Sequence, residues 1–231
     1  VNPLPPAKKA AFACQGKLER EACAKGFRYV AGVDEAGRGS LFGPVFAAAV
    51  ILSQERPIRG LRDSKLLLPE RREVLAGRIK ERAVAWAVAA ADVYEIDRIN
   101  IYQASRIAMR RAVEQLSPCC DYLLVDAVKI DVPFPQEAII HGDAKSQCIA
   151  AASILAKTHR DECMRRWDEI FPYLGLSRHK GYSTPEHIAA IEKHGPTLLH
   201  RFSFEPVRLA CRYEIWTGYD QIEMASNEAS A

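Results

Sequence analysis

Four carboxylates in this chain each follow an apolar run: Asp34 and Glu35 in VAGVDE, Asp126 in YLLVD, and Asp143 in the turn after Ala138–Ile140. Removing such a group from water is costly unless a metal, a base or solvent receives its charge. A single acid in that position is ordinarily a helix cap or a turn former. Four acids gathered at one sheet edge would repel one another, so that simple explanation weakens as their number grows. A divalent cation removes the repulsion, and ligands that are all oxygen select a hard ion, Mg²⁺ or Mn²⁺. Carboxylates holding two such ions about 3.5–4 Å apart serve phosphodiester hydrolysis, one ion activating water and the other stabilising the leaving oxygen.

Hydrophobic periodicity marks the elements that must position these acids. A strand over residues 27–34 carries the first pair. A second strand follows over 45–52, then a polar loop with Asp63-Ser64-Lys65. Pro69 opens a helix running to about Arg82, since the first helical turn needs no amide hydrogen there. Residues 83–91 alternate as a strand, and 101–116 form a helix with Ile101, Ala104, Ala108 and Ala112 on one stripe. Strands over 122–125 and 138–140 deliver Asp126 and the His141-Gly142-Asp143 turn. A helix rich in alanine and serine then runs from about Ser146 to Trp167, and Thr184-Pro185 caps another that ends at Gly195. This order predicts an α/β fold with a mixed sheet, its first three strands hairpin-connected and the later ones parallel. Successive strand residues face opposite ways, so Asp34 and Glu35 share a site only if the strand ends or twists at Ala36-Gly37. Residues 1–26 are expected to be an extension, disordered and then helical; 27–219 the catalytic domain; and 220–231 a mobile tail.

The turn Gly37-Arg38-Gly39 is not a dinucleotide fingerprint. Gly37, Gly39 and Gly43 give G-x-G-x-x-x-G, one residue too long, and a strand follows instead of a helix. The turn offers exposed backbone and a guanidinium to a sugar or phosphate, or it is a plain hairpin turn. Positive charge stands near the acids in sequence: Arg38, Lys65, Lys145, and Arg178-His179-Lys180 before Gly181-Tyr182. A solvated basic face accounts for any one of these. Basic residues with an aromatic among them suit phosphates plus a stacked sugar or base. On residues alone, the pattern favours a metal-dependent nuclease.

Bulk properties agree without deciding. The 231 residues, 48% hydrophobic and 26% charged, suit one domain with a helical extension. A net charge of +3 is too mild to indicate a polyanion partner by itself. Seven cysteines form no C-x-x-C pair, and the proline-broken start VNPLPPAKK has no apolar signal core. Both observations lead to the expectation of a cytoplasmic protein with reduced thiols. Nowhere do about 18 apolar residues run together, so no transmembrane helix is expected.

The blocks VAGVDEAGRGSLFGPVFAAAV, DSKLL, YLLVDA, GDAKSQCIAAASILAKTHRDE, HKGYST and HRFSFEPV stand in the order found in ribonuclease HII, the type 2 ribonuclease H family, which this chain resembles from Val30 to Pro206. The resemblance implies a ribonuclease H-like fold, a five-stranded mixed sheet flanked by helices with a C-terminal helical region over a substrate groove. It implies that Asp34, Glu35, Asp126 and Asp143 are the catalytic, metal-binding acids for two Mg²⁺ or Mn²⁺ ions. Gly37, Arg38 and Gly39 match the turn that senses a ribose 2′-hydroxyl at an RNA–DNA junction, and Tyr182 the tyrosine that packs on the next deoxyribose. Lys65, Ser146, His179 and Lys180 look like phosphate or supporting contacts, whereas Ser153 and Lys157 read equally as structural. The GRG spelling, and an N-terminal segment too short for an extra domain, resemble type HII and not the related HIII enzymes. Two departures stand out: Ala127 where many members have Gly, and Phe202 where Arg is frequent. The implied activity is hydrolysis of the RNA strand of RNA/DNA hybrids, with cleavage 5′ of single ribonucleotides in duplex DNA, by a monomer with no membrane association. Two alternatives are a binding module that keeps the fold without catalysis, and a two-metal nuclease of this fold acting on other nucleic acids. All four acids are present, which disfavours the binding module.

Overall fold

The structure, a computed structural model, describes residues 16–211. The disordered start expected for the 1–26 extension and the mobile tail expected over 220–231 lie outside the described residues, as does any part of the extension's expected helix before residue 16. That helix is seen as α1 (Lys17–Ala24). The chain continues with β1 (Val30–Ala36), β2 (Val45–Ile51), α2 (Pro69–Arg82), β3 (Ala85–Ala91), α3 (Val93–Ile99) and α4 (Ile101–Glu114). Then come β4 (Tyr122–Asp126), β5 (Gln136–Ile139), α5 (Gly142–Lys145), α6 (Gln147–Ile170), α7 (Leu176–His179) and α8 (Pro185–His194). Helix α3 is an addition to the expected order. Its signal was present: Asp92 and Glu95 form a reciprocal capping box three residues apart.

The five strands form one sheet in the order β3-β2-β1-β4-β5. β1 and β2 are antiparallel, while β1–β4 and β4–β5 are parallel, so the sheet is mixed as expected, but β2 reaches β3 through α2 and not by the hairpin expected there. Contacts divide the described residues into two compact units. The first comprises 16–36, 46–90 and 106–158; the second comprises 37–45, 91–105 and 159–211.

In the first unit the small residues of α6 let a helix backbone lie directly on the sheet. A Cβ built on Gly32 of β1 would fall 2.0 Å from the Cys148 carbonyl carbon, so only glycine fits there. Ala150, Ala151, Ala152, Ile154, Leu155 and Ala156 of α6 join β2 and the Leu75–Ile79 face of α2 in one core. Ile149 joins a second core with Ala22 of α1, Val30, Leu124 and Ile139.

The second unit is built around Phe42, which is fully buried with Met164, Leu174 and Leu176. Its ring meets Trp167, Phe171 and His200 edge-on at 6.5, 6.3 and 5.0 Å. Main-chain bonds tie the same segment on both sides, Leu41 N to Gly181 O and Arg201 N to Leu41 O, each at 2.8 Å.

Candidate active site

Strand register brings the acids together. β1 and β4 pair in parallel with Val33 beside Val125, which sets the next residues, Asp34 and Asp126, level at the same sheet edge. β4 pairs with β5 so that Asp126 stands beside Ile139, and the chain then turns through His141 into α5, which carries Asp143. Two details differ from expectation. β1 runs on to Ala36, so Asp34 and Glu35 lie within the strand, and Asp143 sits on a short helix instead of at a strand end.

Three of the four carboxylates, Asp34, Asp126 and Asp143, have named partners. Asp34 is buried; its Oδ1 accepts the Glu35 amide at 2.7 Å, and the Ser153 side chain of α6 also bonds it. Ser153 shares a second hydrogen bond of 2.9 Å with Ser64. Asp126 Oδ1 accepts the Gly142 amide at 2.7 Å, and a Cβ on Gly142 would meet both the Ile149 side chain and that oxygen. Asp143 bonds the Asp63 side chain. Burial, then the charges of Glu35 and Asp126, push the Asp34 carboxyl well above its ordinary range. Burial, then Asp63 and Asp126, push Asp143 up as well, with Lys65 opposing. Asp126 is thus the shared neighbour of Asp34 and Asp143. Among the described residues no three His, Cys, Asp or Glu side chains already stand close enough to hold one ion. The acids share one electrostatic field, with an oxygen of Asp34 and one of Asp126 each accepting a backbone amide.

Lys65 is exposed, and although burial opposes its charge, Asp63, Asp143, Asp34 and Asp126 together raise its pKa. Asp63 and Ser153 are the residues that motif reading left out of the site. The only signal for Asp63 was its place in the polar Asp63-Ser64-Lys65 loop, where it also caps the turn by accepting the Lys65 amide.

Of the residues expected as phosphate or supporting contacts, Ser146 and His179 are held inside the fold. Ser146 is fully buried; its hydroxyl donates to Glu19 Oε1 at 2.6 Å and accepts the Ile149 amide at 3.0 Å, which makes it a helix-start cap. His179 bonds the Leu174 carbonyl through Nε2 and accepts the Gly181 amide on Nδ1, so neither ring nitrogen is left for a phosphate. Lys180 has its ammonium on the Ser177 carbonyl, and burial pushes its pKa down.

Within the second unit, Gly37-Arg38-Gly39 and Tyr182 come together. Ser40 pairs with Tyr182 as an isolated antiparallel bridge, and a Cβ on Gly39 would lie 4.0 Å from the Tyr182 ring. Arg38, Gly39 and Tyr182 are exposed, while Gly37 is buried with φ +97°, a conformation that favours glycine.

The profile of the family described as Ribonuclease HII matches residues 31–207. Ribonuclease HII of Solibacter usitatus (strain Ellin6076) is 66% identical over 215 residues, covering 93% of each chain. That of Koribacter versatilis (strain Ellin345) is 55% identical over 197 residues, covering 85% of this chain and 78% of its own. Among solved structures, ribonuclease H2 from Pyrococcus horikoshii OT3 superposes with a TM-score of 0.68 at 25% identity, over 79% of this chain and 97% of that one. Bst-RNase HIII, in a structure described as a complex with Mn²⁺, shares the fold at a TM-score of 0.62 and 19% identity, over 80% and 70% of the two chains. The order of strands, the acids that their register sets side by side and the match over most of the chain lead to one conclusion: this chain belongs to the ribonuclease HII family.

Proposed function

We propose that this protein is an endoribonuclease that hydrolyses the RNA strand of RNA/DNA hybrids and cuts 5′ of single ribonucleotides in duplex DNA, leaving 3′-hydroxyl and 5′-phosphate ends. The observation that carries the proposal is the position of Asp126, whose charge reaches both Asp34 and Asp143. Asp34, Glu35, Asp126 and Asp143 are an all-oxygen donor set, and burial first, then neighbouring carboxylates, raise the pKa values of Asp34 and Asp143, both costs that cations would relieve. These residues would hold two Mg²⁺ or Mn²⁺ ions, which when bound supply an activated water and charge stabilisation at the leaving oxygen. The protein's own part is orientation. Ser153 and the Glu35 amide aim Asp34, Gly142 aims Asp126, and Asp63 aims Asp143.

Arg38 and the backbone of Gly37 and Gly39 recognise the ribose 2′-hydroxyl, the group that distinguishes RNA from DNA. Tyr182 packs on the adjoining deoxyribose. Lys65 and Lys180 meet phosphates, while Ser146 and His179 support the site from within. Among the described residues no helix is long and apolar enough to cross a membrane, and six cysteines are free. A cytoplasmic monomer whose catalytic region spans residues 27–219 fits this role.

The test uses two duplexes identical except for one ribonucleotide, each incubated with and without Mg²⁺. Cleavage of the ribonucleotide-containing duplex alone, and only with Mg²⁺, is the expected result. Equal cleavage of the all-DNA twin would assign the site to a DNA nuclease of the same fold instead.

A further inference from the structure

Two of the bulkiest fully buried side chains among the described residues are arginines, Arg160 and Arg201, each 0% exposed. Neither is hydrogen-bonded to a carboxylate. Arg160 Nη2 donates to Ser40 Oγ at 2.7 Å and to the Lys180 carbonyl at 2.9 Å. Its guanidinium carbon stands 5.3 Å from the Tyr182 ring centre, and a Cβ on Gly37 would fall 2.0 Å from its Nε. Arg201 Nη1 donates to the Arg38 carbonyl at 2.8 Å, and its Nε to the Gly43 carbonyl at 3.0 Å. Arg160 Nε and Nη1 and Arg201 Nη2 have no hydrogen-bond partner.

Burying a charge without a bonded counter-ion costs several kcal/mol, and apolar side chains of similar volume often serve stability better. Here the two charges also oppose each other: burial, then the Arg160 charge, pushes the Arg201 guanidinium down to about 9. Packing alone does not account for such an arrangement. Their partners lie on either side of one segment: Arg160 takes the Ser40 hydroxyl, the Phe42 and Lys180 carbonyls and the face of Tyr182, while Arg201 takes the Arg38 and Gly43 carbonyls and the Phe204 ring.

We infer that Arg160 and Arg201 are positioning residues for ribonucleotide selection, holding the Gly37–Gly39 turn and the Tyr182 ring in one fixed relation. This rests on the role proposed above for that turn and for Tyr182. The planar guanidinium is the operative feature, because it donates along several directions at once while its face meets a ring, Tyr182 for Arg160 and Phe204 for Arg201. A lysine keeps the charge and loses that geometry.

The experiment compares kcat/KM on two substrates, a duplex with one embedded ribonucleotide and a continuous RNA/DNA hybrid. Wild type is measured beside Arg160→Lys, Arg201→Lys, Tyr182→Ala and the double variant Arg160→Lys/Tyr182→Ala, with thermal unfolding of each. A hybrid presents ribose at every step, so a misplaced junction reader affects it less. Arg160→Lys is expected to lose the embedded-ribonucleotide substrate about tenfold more than the hybrid, as befits a displaced recognition group. The double variant is expected to be no less selective than Tyr182→Ala alone, because both changes act through one element. Equal losses on the two substrates, or selectivity losses that multiply in the double variant, would overturn the inference. Should Arg160→Lys fail to fold, the same selectivity ratio in Arg201→Lys decides. A wild type that does not discriminate ribonucleotide-containing duplex from all-DNA duplex would instead reject the functional proposal itself.

Discussion

Ala127, next to Asp126, holds φ at +54°, in the left-handed region where an L-residue with a Cβ pays about 1–2 kcal/mol. Glycine adopts that conformation without the clash but loses more freedom on folding. The difference predicts that Ala127→Gly stabilises the protein by about 0.5–1 kcal/mol, visible as a higher denaturation midpoint; a lower midpoint would refute the strain. Asp34 makes a second prediction. A carboxyl whose folded pKa lies above its unfolded value binds its proton more tightly in the native state. Its ionised burial therefore destabilises the fold at neutral pH, and the penalty fades as pH falls through the raised folded value toward the unfolded one. Asp34→Asn is accordingly expected to raise the Tm in chelator-treated buffer by about 3 °C or more while abolishing cleavage, and an unchanged or lower Tm would contradict the burial cost. At this scale the four acids were legible because a charged residue after an apolar run is expensive. Asp63 and Ser153 were not, since a polar loop and a small-residue helix give an Asp or a Ser ordinary reasons to be there.

Helix α6 shows how far an element can be read from its own sequence. Its alanines and serine are small enough for a close approach to the sheet, and at Gly32 that approach leaves no room for a Cβ. Gly32→Ala drives a Cβ into the Cys148 backbone and is expected to cost about 3 kcal/mol or more in urea unfolding. The way α6 begins was not legible. Glu19 of α1, 127 residues upstream of Ser146, accepts the Ser146 hydroxyl and the Cys148 amide, capping the helix with a carboxylate from a distant segment. Removing it in Glu19→Ala is expected to cost about 1–3 kcal/mol, while an unchanged midpoint would mean that the cap is replaced by water. No local pattern encodes a partner so remote. Ser146 shares that reason, because Glu19 takes its hydroxyl, whereas His179 is held by near neighbours, the Leu174 carbonyl and the Gly181 amide.

For the molecule as a whole, the mixed sheet followed from the sequence of strand and helix signals, whereas the order of strands across it and the division into two compact units did not. Each unit is threaded from separated segments, so no change in composition marks the boundary. The second unit also carries a pH dependence of its own. His187 Nδ1 donates to the Tyr182 carbonyl at 3.0 Å, while His200 Nδ1 accepts the Thr197 amide at 2.9 Å, which leaves His200 Nε2 to donate to His187 Nε2 at 3.3 Å. This chain is complete only when both rings are neutral, and burial pushes both pKa values down to about 4. The stability of the pair is therefore fully present above the unfolded histidine pKa near 6.5 and is lost as pH falls toward about 4. Between pH 7.5 and 5 the urea stability should drop by about 2 kcal/mol for each ring, about 4 kcal/mol for the pair, and a flat profile would show that the pair titrates normally.

Asp126 is the residue on which Asp34 and Asp143 both depend, so its replacement is the sharpest trial of the site. Asp126→Asn keeps an oxygen for the Gly142 amide and removes only the charge. The decisive measurement is Mg²⁺-dependent cutting of a single-ribonucleotide duplex by this variant, alongside its affinity for the same duplex. Undiminished binding with cleavage reduced by about three orders of magnitude or more is expected. Cleavage at or near the wild-type rate would show that the four acids are not the catalytic centre.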